Sequence, residues 1–411
     1  MLQRPAATEP TTGGWGSAAL RRATLTLALS QLVGWGVLFY GFAVTSSAIR
    51  DDTGWSEGLV SGAFALGLLI AGLGAPPVAR ALAGHDPRLI LTTGSLLGMV
   101  GMLGFASAPN PIVLYLAWVA IGVAMASTLY EPAMAVLVAL DPTRRYRTLT
   151  VVTVAGGLAS TVFAPLGAWL VDSLGWRQAL AVLGIGGGLF TAVLHAVVLP
   201  APHAHTVDTQ VAHEPAPSFD RRLRRLRDAV ILEQAAMIAT TAYLIALLVE
   251  QGVALGTASA ALGVMGLGKV GGRLLLLGPI GRRSLTLLAA TATVVQLAGL
   301  AVPLAVTAAW ILFPTMLIAG AASGATTVVR PLLVVDLVGA GPFAATNARI
   351  QRASTFFRAA APLLLGIAVT AFGWSIAWVV CLAVFALAAE RYMALDRTQR
   401  AQRRLPTSLD G

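Results

Sequence analysis

The sequence predicts an all-α integral membrane protein with twelve transmembrane helices, arranged as two parallel six-helix repeats, with both termini cytoplasmic. Three observations carry this reading. First, twelve apolar stretches run through 411 residues that are 57% hydrophobic and only 11% charged, a composition too apolar for a soluble globule. Second, positive charge alternates. Of 28 Lys and Arg residues, 22 lie in the two tails, in every second gap between stretches and at one later helix start. Arg50 and Arg177 alone occupy the opposite gaps. Positive charge is retained on the cytoplasmic side of a membrane, so the alternation fixes the topology. Third, short motifs recur between the halves at a near-constant offset.

Residues 1–22 form a polar tail. The apolar run 23–49 is too long for the core of a signal peptide and reads as an uncleaved first helix. A span needs about 20 apolar residues to cross about 30 Å of hydrocarbon. Stretches at 57–79, 89–107, 111–139, 148–172 and 177–199 meet that length and complete a first bundle, 23–199. Residues 200–228 form a cytoplasmic linker. It holds prolines and His203, His205 and His213, which read as a flexible polar segment rather than a metal site. Its end, from Ser218 to Arg227, places Phe219, Leu223 and Leu226 at helical spacing among arginines, predicting a basic amphipathic helix on the inner leaflet. Stretches at 229–250, 254–279, 284–304, 308–336, 349–372 and 374–394 make a second bundle, 229–394, followed by a tail, 395–411. Trp55, Trp176 and Trp374 fall at outer helix ends and read as an interfacial belt.

Several function classes fall away. The sequence pI near 10.9 reflects arginines spread over loops and tails, suited to anionic lipid rather than to nucleic acid. Cys381 is the only cysteine, so neither an intramolecular disulfide nor a cysteine cluster can form. Phosphate-binding loops, nucleophile elbows and His-Glu-x-x-His motifs do not occur, which predicts no enzyme, no cofactor and no metal.

The repeat is read from three matches. Ser127 to Pro132 parallels Thr326 to Pro331, Ala164-Pro165-Leu166 parallels Ala361-Pro362-Leu363, and Leu174-Gly175-Trp176 parallels Phe372-Gly373-Trp374, at offsets of 199, 197 and 198 residues. Six helices per half give both halves the same orientation, hence a parallel repeat.

On these features the chain resembles the major facilitator superfamily of secondary transporters, over its whole length. The superfamily's loop signature is degenerate here, running from Gly72 through Arg80 to Arg88, and its second copy, Gly271-Gly272-Arg273 to Gly281-Arg282-Arg283, lacks the Asp. Within the superfamily, Tyr40-Gly41-Phe42, the following Thr53-Gly54-Trp55-Ser56, and Arg273 midway down the eighth stretch are similar to the monocarboxylate and oxalate/formate branch. The resemblance implies that stretches 1, 4, 7 and 10 line a central cavity, that Arg273 binds a substrate carboxylate, and that Arg358 opposes it. Monocarboxylate carriers have Asp where this chain has Lys269, which weakens transfer of their coupling mechanism.

A charge at mid-bilayer costs about 2.5–3.5 kcal/mol or more, so such residues face a wet cavity or a partner. Glu131, Lys269, Arg273, Arg330 and Arg358 all lie within apolar spans. Glu131 and Arg330 hold equivalent positions in the two halves, which predicts a salt bridge across the cavity, as a gate or as a fixed tether. Lys269 and Arg273, four apart, share a helical face. Four cations against one carboxylate leave positive charge that an organic anion would compensate, guanidinium forks matching carboxylate geometry. Tyr40, Tyr130, Gln31 and Gln296 add neutral donors, and His195 reads as a packed residue. The expectation is a secondary transporter working by alternating access on a small organic anion, a monocarboxylate or related carboxylate. Proton coupling through Glu131, or exchange, would drive it. The alternative is a proton-driven efflux pump for drugs or amphipathic metabolites. In either case the partners are a small molecule and lipid, and the protein acts as a monomer in a bacterial inner membrane.

Overall fold

The computed structural model describes residues 18–140, 145–200, 217–276, 284–339 and 341–403, and among them all regular structure is helical. The first half contains α1 (Ala18–Thr53), α2 (Glu57–Gly84), α3 (Pro87–Ala106), α4 (Pro111–Thr128 continuing as Tyr130–Leu140), α5 (Arg145–Gly157 continuing as Ala159–Leu174) and α6 (Trp176–Val198). The second contains α7 (Arg221–Glu250), α8 (Leu255–Leu275), α9 (Leu285–Leu304), α10 (Ala309–Val338), α11 (Phe343–Phe372) and α12 (Trp374–Arg403). Eleven of these are long and apolar enough to cross a membrane. The exception, α8, has 21 residues, enough to span, but Lys269, Arg273 and its glycines lower its hydropathy. An even number of antiparallel helices brings the two ends of the described chain, Ala18 and Arg403, to one face, called here the terminal face; the other is the far face.

Local chemistry sets the helix ends. Ser56 and Asn110 accept from the Leu59 and Val113 N–H groups, capping α2 and α4, and Pro111 sits at the first helical position, where its missing N–H costs nothing. Gly175 and Gly373 each adopt φ +81, a conformation closed to most L-residues. They turn the chain between α5 and α6 and between α11 and α12, which explains one of the repeated motifs.

Glycine also sets the tightest packing. Gly268 and Gly272 of α8 face Gly320 and Gly324 of α10. A Cβ at Gly272 would collide with the Ala321 carbonyl, one at Gly268 with the Leu317 carbonyl, one at Gly320 with the Met265 carbonyl and one at Gly324 with the Lys269 carbonyl. Small residues four apart on both helices let the backbones touch, the usual solution where lipid offers no hydrophobic drive. Between the halves, α2 packs on α11 and α5 on α8. Gly366 of α11 rests against Ser61 of α2, Gly72 of α2 against Thr355, and Thr161 of α5 donates to the Gly263 carbonyl at 2.9 Å. At the far face Arg50 of α1 reaches Glu250 of α7 at 3.1 Å while also lying 3.6 Å from Glu57 and from Asp51.

Two helices carry irregularities. In α1 a π turn spans Gly36–Tyr40, closed by the Gly41 N–H on the Gly36 carbonyl. In α4 the ladder breaks at Leu129, whose backbone is extended. Pro132 has no N–H to offer the Thr128 carbonyl. The Gln31 side chain of α1 supplies the missing donor at 2.8 Å.

Two expectations are corrected. The basic segment after Phe219 is not a separate helix on the leaflet: α7 begins at Arg221, capped by Asp220, and runs unbroken to Glu250. The Leu223 N–H holds the Asp220 carboxyl below the usual carboxylate range. The spacing of Leu223 and Leu226 is amphipathic as expected, but their apolar face is buried against Leu333, Ile350 and Leu395, and Arg225 donates to the Ala394 carbonyl of α12. Trp176 and Trp374 are buried in the core, Trp374 beside Tyr243, so they do not form a belt. Elsewhere the outer surface is apolar, with Ile112, Leu116 and Trp310 well exposed, as a lipid-facing surface requires. The linker histidines His203, His205 and His213 lie outside the described residues.

Gly320→Val should destabilise the detergent-solubilised protein by about 1–3 kcal/mol or more for overpacking a dense contact, seen as a lower unfolding midpoint. Gly186→Val, where a Cβ meets nothing within 4 Å, should leave it unchanged. Equal midpoints would show that the α8–α10 contact yields easily.

Candidate functional site

A cavity of about 810 Å³, its open mouth included, lies between the halves. On the far side it is sealed by the stretch from Tyr243 to Leu248 of α7, all fully buried. Toward the terminal face Glu131 and Gln351 are exposed. The molecule is thus closed at the far face and open at the terminal one.

The irregularities of α1, α4 and α5 shape the first wall. Trp35 immediately precedes the π turn, which contains Phe39 and Tyr40; π turns recur at functional positions because they re-aim side chains within an otherwise regular helix. Tyr130 follows the break in α4, and Gly156 and Gly157 precede the break in α5. The Trp35 and Tyr130 rings are 5.2 Å apart, and Trp35 meets Phe39 edge-on at 5.7 Å. The second wall is cationic. Gly268 and Gly272 turn one face of α8 to the α10 backbone, so Lys269 and Arg273, one residue further round, turn to the cavity. Arg330 of α10 and Arg358 of α11 line it too, with Gln234, Met237, Ile238 and Thr241 of α7.

The cavity therefore brings together six of the seven residues expected from sequence: Tyr40, Tyr130, Lys269, Arg273, Arg330 and Arg358. Glu131 is the one left out. It stands beside the mouth, within electrostatic reach of Arg358 and in no ion pair among the described residues. The expected Glu131–Arg330 bridge is not formed. Arg330 instead grips Glu233 of α7 with two bonds, Nη2 to Oε1 at 2.9 Å and Nε to Oε2 at 3.1 Å. Tyr392 of α12 donates to Glu233 Oε2 at 3.0 Å, and Gln296 of α9 donates to Oε1 at 3.1 Å. Gln296 thus serves this buried network instead of the cavity, and Gln31 serves the α4 break. Sequence reasoning misses Glu233 because the stretch 229–250 puts it at a membrane edge. With α7 starting at Arg221 it lies three turns inside the helix. The signal is an acidic residue within an apolar period.

This network changes the charge balance. Arg330 is neutralised locally, so Lys269, Arg273 and Arg358 remain as three cavity cations. Arg273 donates through Nη1 to the Thr153 carbonyl across the interface, a carbonyl that Tyr130 also approaches at 3.4 Å. Its Nε is buried without an acceptor, as is the indole Nε1 of Trp35. Lys269 makes no ion pair among the described residues. These are donors without acceptors, an arrangement complementary to an anion. No cluster of metal-ligating side chains occurs among the described residues. His195 is buried away from the cavity, with Nδ1 3.0 Å from Ser95 Oγ and 3.2 Å from the Leu91 carbonyl, in keeping with a packed residue.

The family model of the Major Facilitator Superfamily matches residues 23–348. Among curated proteins, monocarboxylate transporter 13 of Rattus norvegicus is 28% identical over 178 residues, which is 43% of this chain and 40% of that protein. The matched region thus spans well under half of that relative. Among solved structures, a bacterial homologue of the human lysosomal transporter Spinster, in an inward-facing and occupied conformation, superposes with TM-score 0.73 at 15% identity, covering 93% of this chain and 98% of that one. The nucleoside transporter NupG superposes with TM-score 0.69 at 15% identity, covering 92% and 99%. At such identities the structures share the fold alone.

Removing one partner of a buried pair strands the other charge, which costs about 3–5 kcal/mol. Glu233→Ala should therefore destabilise strongly in thermal unfolding, and Glu233→Gln with Arg330→Gln together should recover much of the loss. A double-mutant cycle of Glu131→Gln and Arg330→Gln should give a coupling below about 0.5 kcal/mol, as for residues out of contact. A large coupling would restore the cross-cavity bridge.

Proposed function

The chain belongs to the Major Facilitator Superfamily and is a multi-pass membrane transporter rather than an enzyme, and on that footing we propose that its cargo is a small organic anion, a monocarboxylate or related carboxylate. One observation carries the proposal: Lys269, Arg273 and Arg358 line one cavity in which, among the described residues, the only cation paired with a carboxylate is Arg330. Like charges in a low-dielectric interior repel, and a ligand carboxylate removes that repulsion. A cationic drug would add to it, which speaks against the cationic cargo of the efflux alternative. The similarity to a monocarboxylate transporter points the same way. The arginine alternation supports a cytoplasmic terminal face in a bacterial inner membrane, so the state described here is open to the cytoplasm.

In the proposed cycle, carboxylate oxygens accept from the Arg273 guanidinium and the Lys269 ammonium, with Arg358 further along the same wall. Neutralised cations tolerate closure of the terminal face; empty ones resist it. Release of Arg50 from Glu250 then opens the far face. Glu131 serves as the proton carrier. Deprotonated, it pairs with Arg358 as the halves close; protonated, it leaves Arg358 to the substrate. The switching partner is therefore Arg358, in place of the Arg330 expected from the repeat.

Uptake of labelled carboxylates into proteoliposomes, with and without a pH gradient, tests this. Arg273→Lys keeps the charge but loses the fork, and a charged hydrogen bond contributes about 1.5–3 kcal/mol, so apparent affinity should fall about 10- to 100-fold. Wild-type transport by Arg273→Ala would refute the assignment. Glu131→Gln should abolish accumulation driven by the gradient while substrate exchange persists. Accumulation that survives in Glu131→Gln would remove the proton role.

A further inference from the structure

Resting on the organic-anion reading above, we infer that the substrate is a planar aromatic monocarboxylate, its ring held against Trp35 and Tyr130 and its carboxylate against Arg273 and Lys269. The two walls of the cavity differ in kind. The cations all come from α8, α10 and α11, whereas the facing wall presents Trp35, Phe39, Tyr40 and Tyr130. Aromatic residues make up 7% of the chain, so four on one cavity wall are a local concentration. Met237 and Ile238 extend the apolar surface on α7.

A two- or three-carbon acid would satisfy the cations and leave this wall wet. A ligand with a carboxylate at one end and a flat apolar body at the other covers both. The cavity, about 810 Å³ with its open mouth counted, admits a single ring. Trp35 and Tyr130 are already arranged as neighbours at 5.2 Å with their planes tilted by 42°, an open angle instead of a closed stack. An added ring can meet one by its face and the other by its edge, the arrangements aromatic quadrupoles favour. The buried indole N–H of Trp35 has no acceptor in the protein. The local backbone is consistent with such a role. Trp35 borders the π turn of α1, and Tyr130 borders the break of α4, so both rings are carried by the irregular points of the first half.

The test is binding to the purified, detergent-solubilised full chain by isothermal titration, using sodium benzoate, cyclohexanecarboxylate, pyruvate and benzylamine as probes. Benzoate should bind about tenfold tighter than pyruvate and several-fold tighter than cyclohexanecarboxylate, as expected for two aromatic contacts. In Trp35→Leu and, separately, Tyr130→Leu the preference for benzoate over pyruvate should shrink toward one, and Trp35→Phe should keep most of it. Comparing the four probes on the wild type alone keeps the inference falsifiable if a variant fails to fold. Pyruvate binding as tightly as benzoate, or cyclohexanecarboxylate as tightly as benzoate, would overturn the aromatic inference and leave the anion reading standing. Benzylamine binding in the absence of any carboxylate binding would overturn both.

Discussion

The contact on which the site depends is the backbone-to-backbone approach of α8 and α10 through Gly268, Gly272, Gly320 and Gly324. Four missing side chains bring the two helices together, and helical geometry then decides where the next residues point. Lys269 and Arg273 follow the two α8 glycines by one position, about 100° round the helix, and so face the space between the halves. A packing device with no charge of its own therefore aims two of the three cavity cations. The same approach explains how a helix as polar as α8 can sit within the fold. Its glycine face is covered by α10, part of the remainder by α5, and its cations by the wet cavity.

Charge neutrality is handled differently in the two halves of the site. Glu233 pairs with Arg330, and Tyr392 and Gln296 donate to the Glu233 carboxylate, so that partners from three further helices join one network. Such a bidentate, fully bonded pair is what a buried guanidinium requires. It ties α7, α9, α10 and α12 into one block and leaves the cation at the cavity edge without net charge. Elsewhere on the same wall, among the described residues, no such carboxylate meets Lys269 or Arg273. Within a single wall, then, one guanidinium is paired with a carboxylate and the neighbouring cations, among the described residues, are not.

Much of this was legible from the sequence. Arginine alternation and the length of the apolar runs located the spans, because both follow from the thickness and polarity of a bilayer and not from tertiary detail. Cost arguments for intramembrane charge picked out Lys269, Arg273, Arg330 and Arg358, and all of them line the cavity. The pairing was not legible. Equivalence under the repeat suggested Glu131 for Arg330, but a repeat relates positions, not partners, and Glu233 within the same half lay nearer. The extent of α7 was hidden because its first two turns are arginine-rich and bury leucines against other helix ends instead of lipid. Trp35 gave no signal, since a tryptophan in an apolar run looks the same whether it meets lipid or a cavity; the π turn that distinguishes it leaves no mark in the sequence.

The arginine at the far face has a further consequence. Arg50 touches carboxylates on both sides of the parting line: Glu250 belongs to the opposite half, while Glu57 and Asp51 belong to its own. In the proposed cycle the halves part there, and the guanidinium would lose one partner and keep two. A clamp built from a single isolated pair would have to leave a lone charge at the moment of separation, and that penalty would fall on the barrier. In that cycle, sharing the cation would let the contact release at small cost, which would favour frequent turnover over a locked resting form.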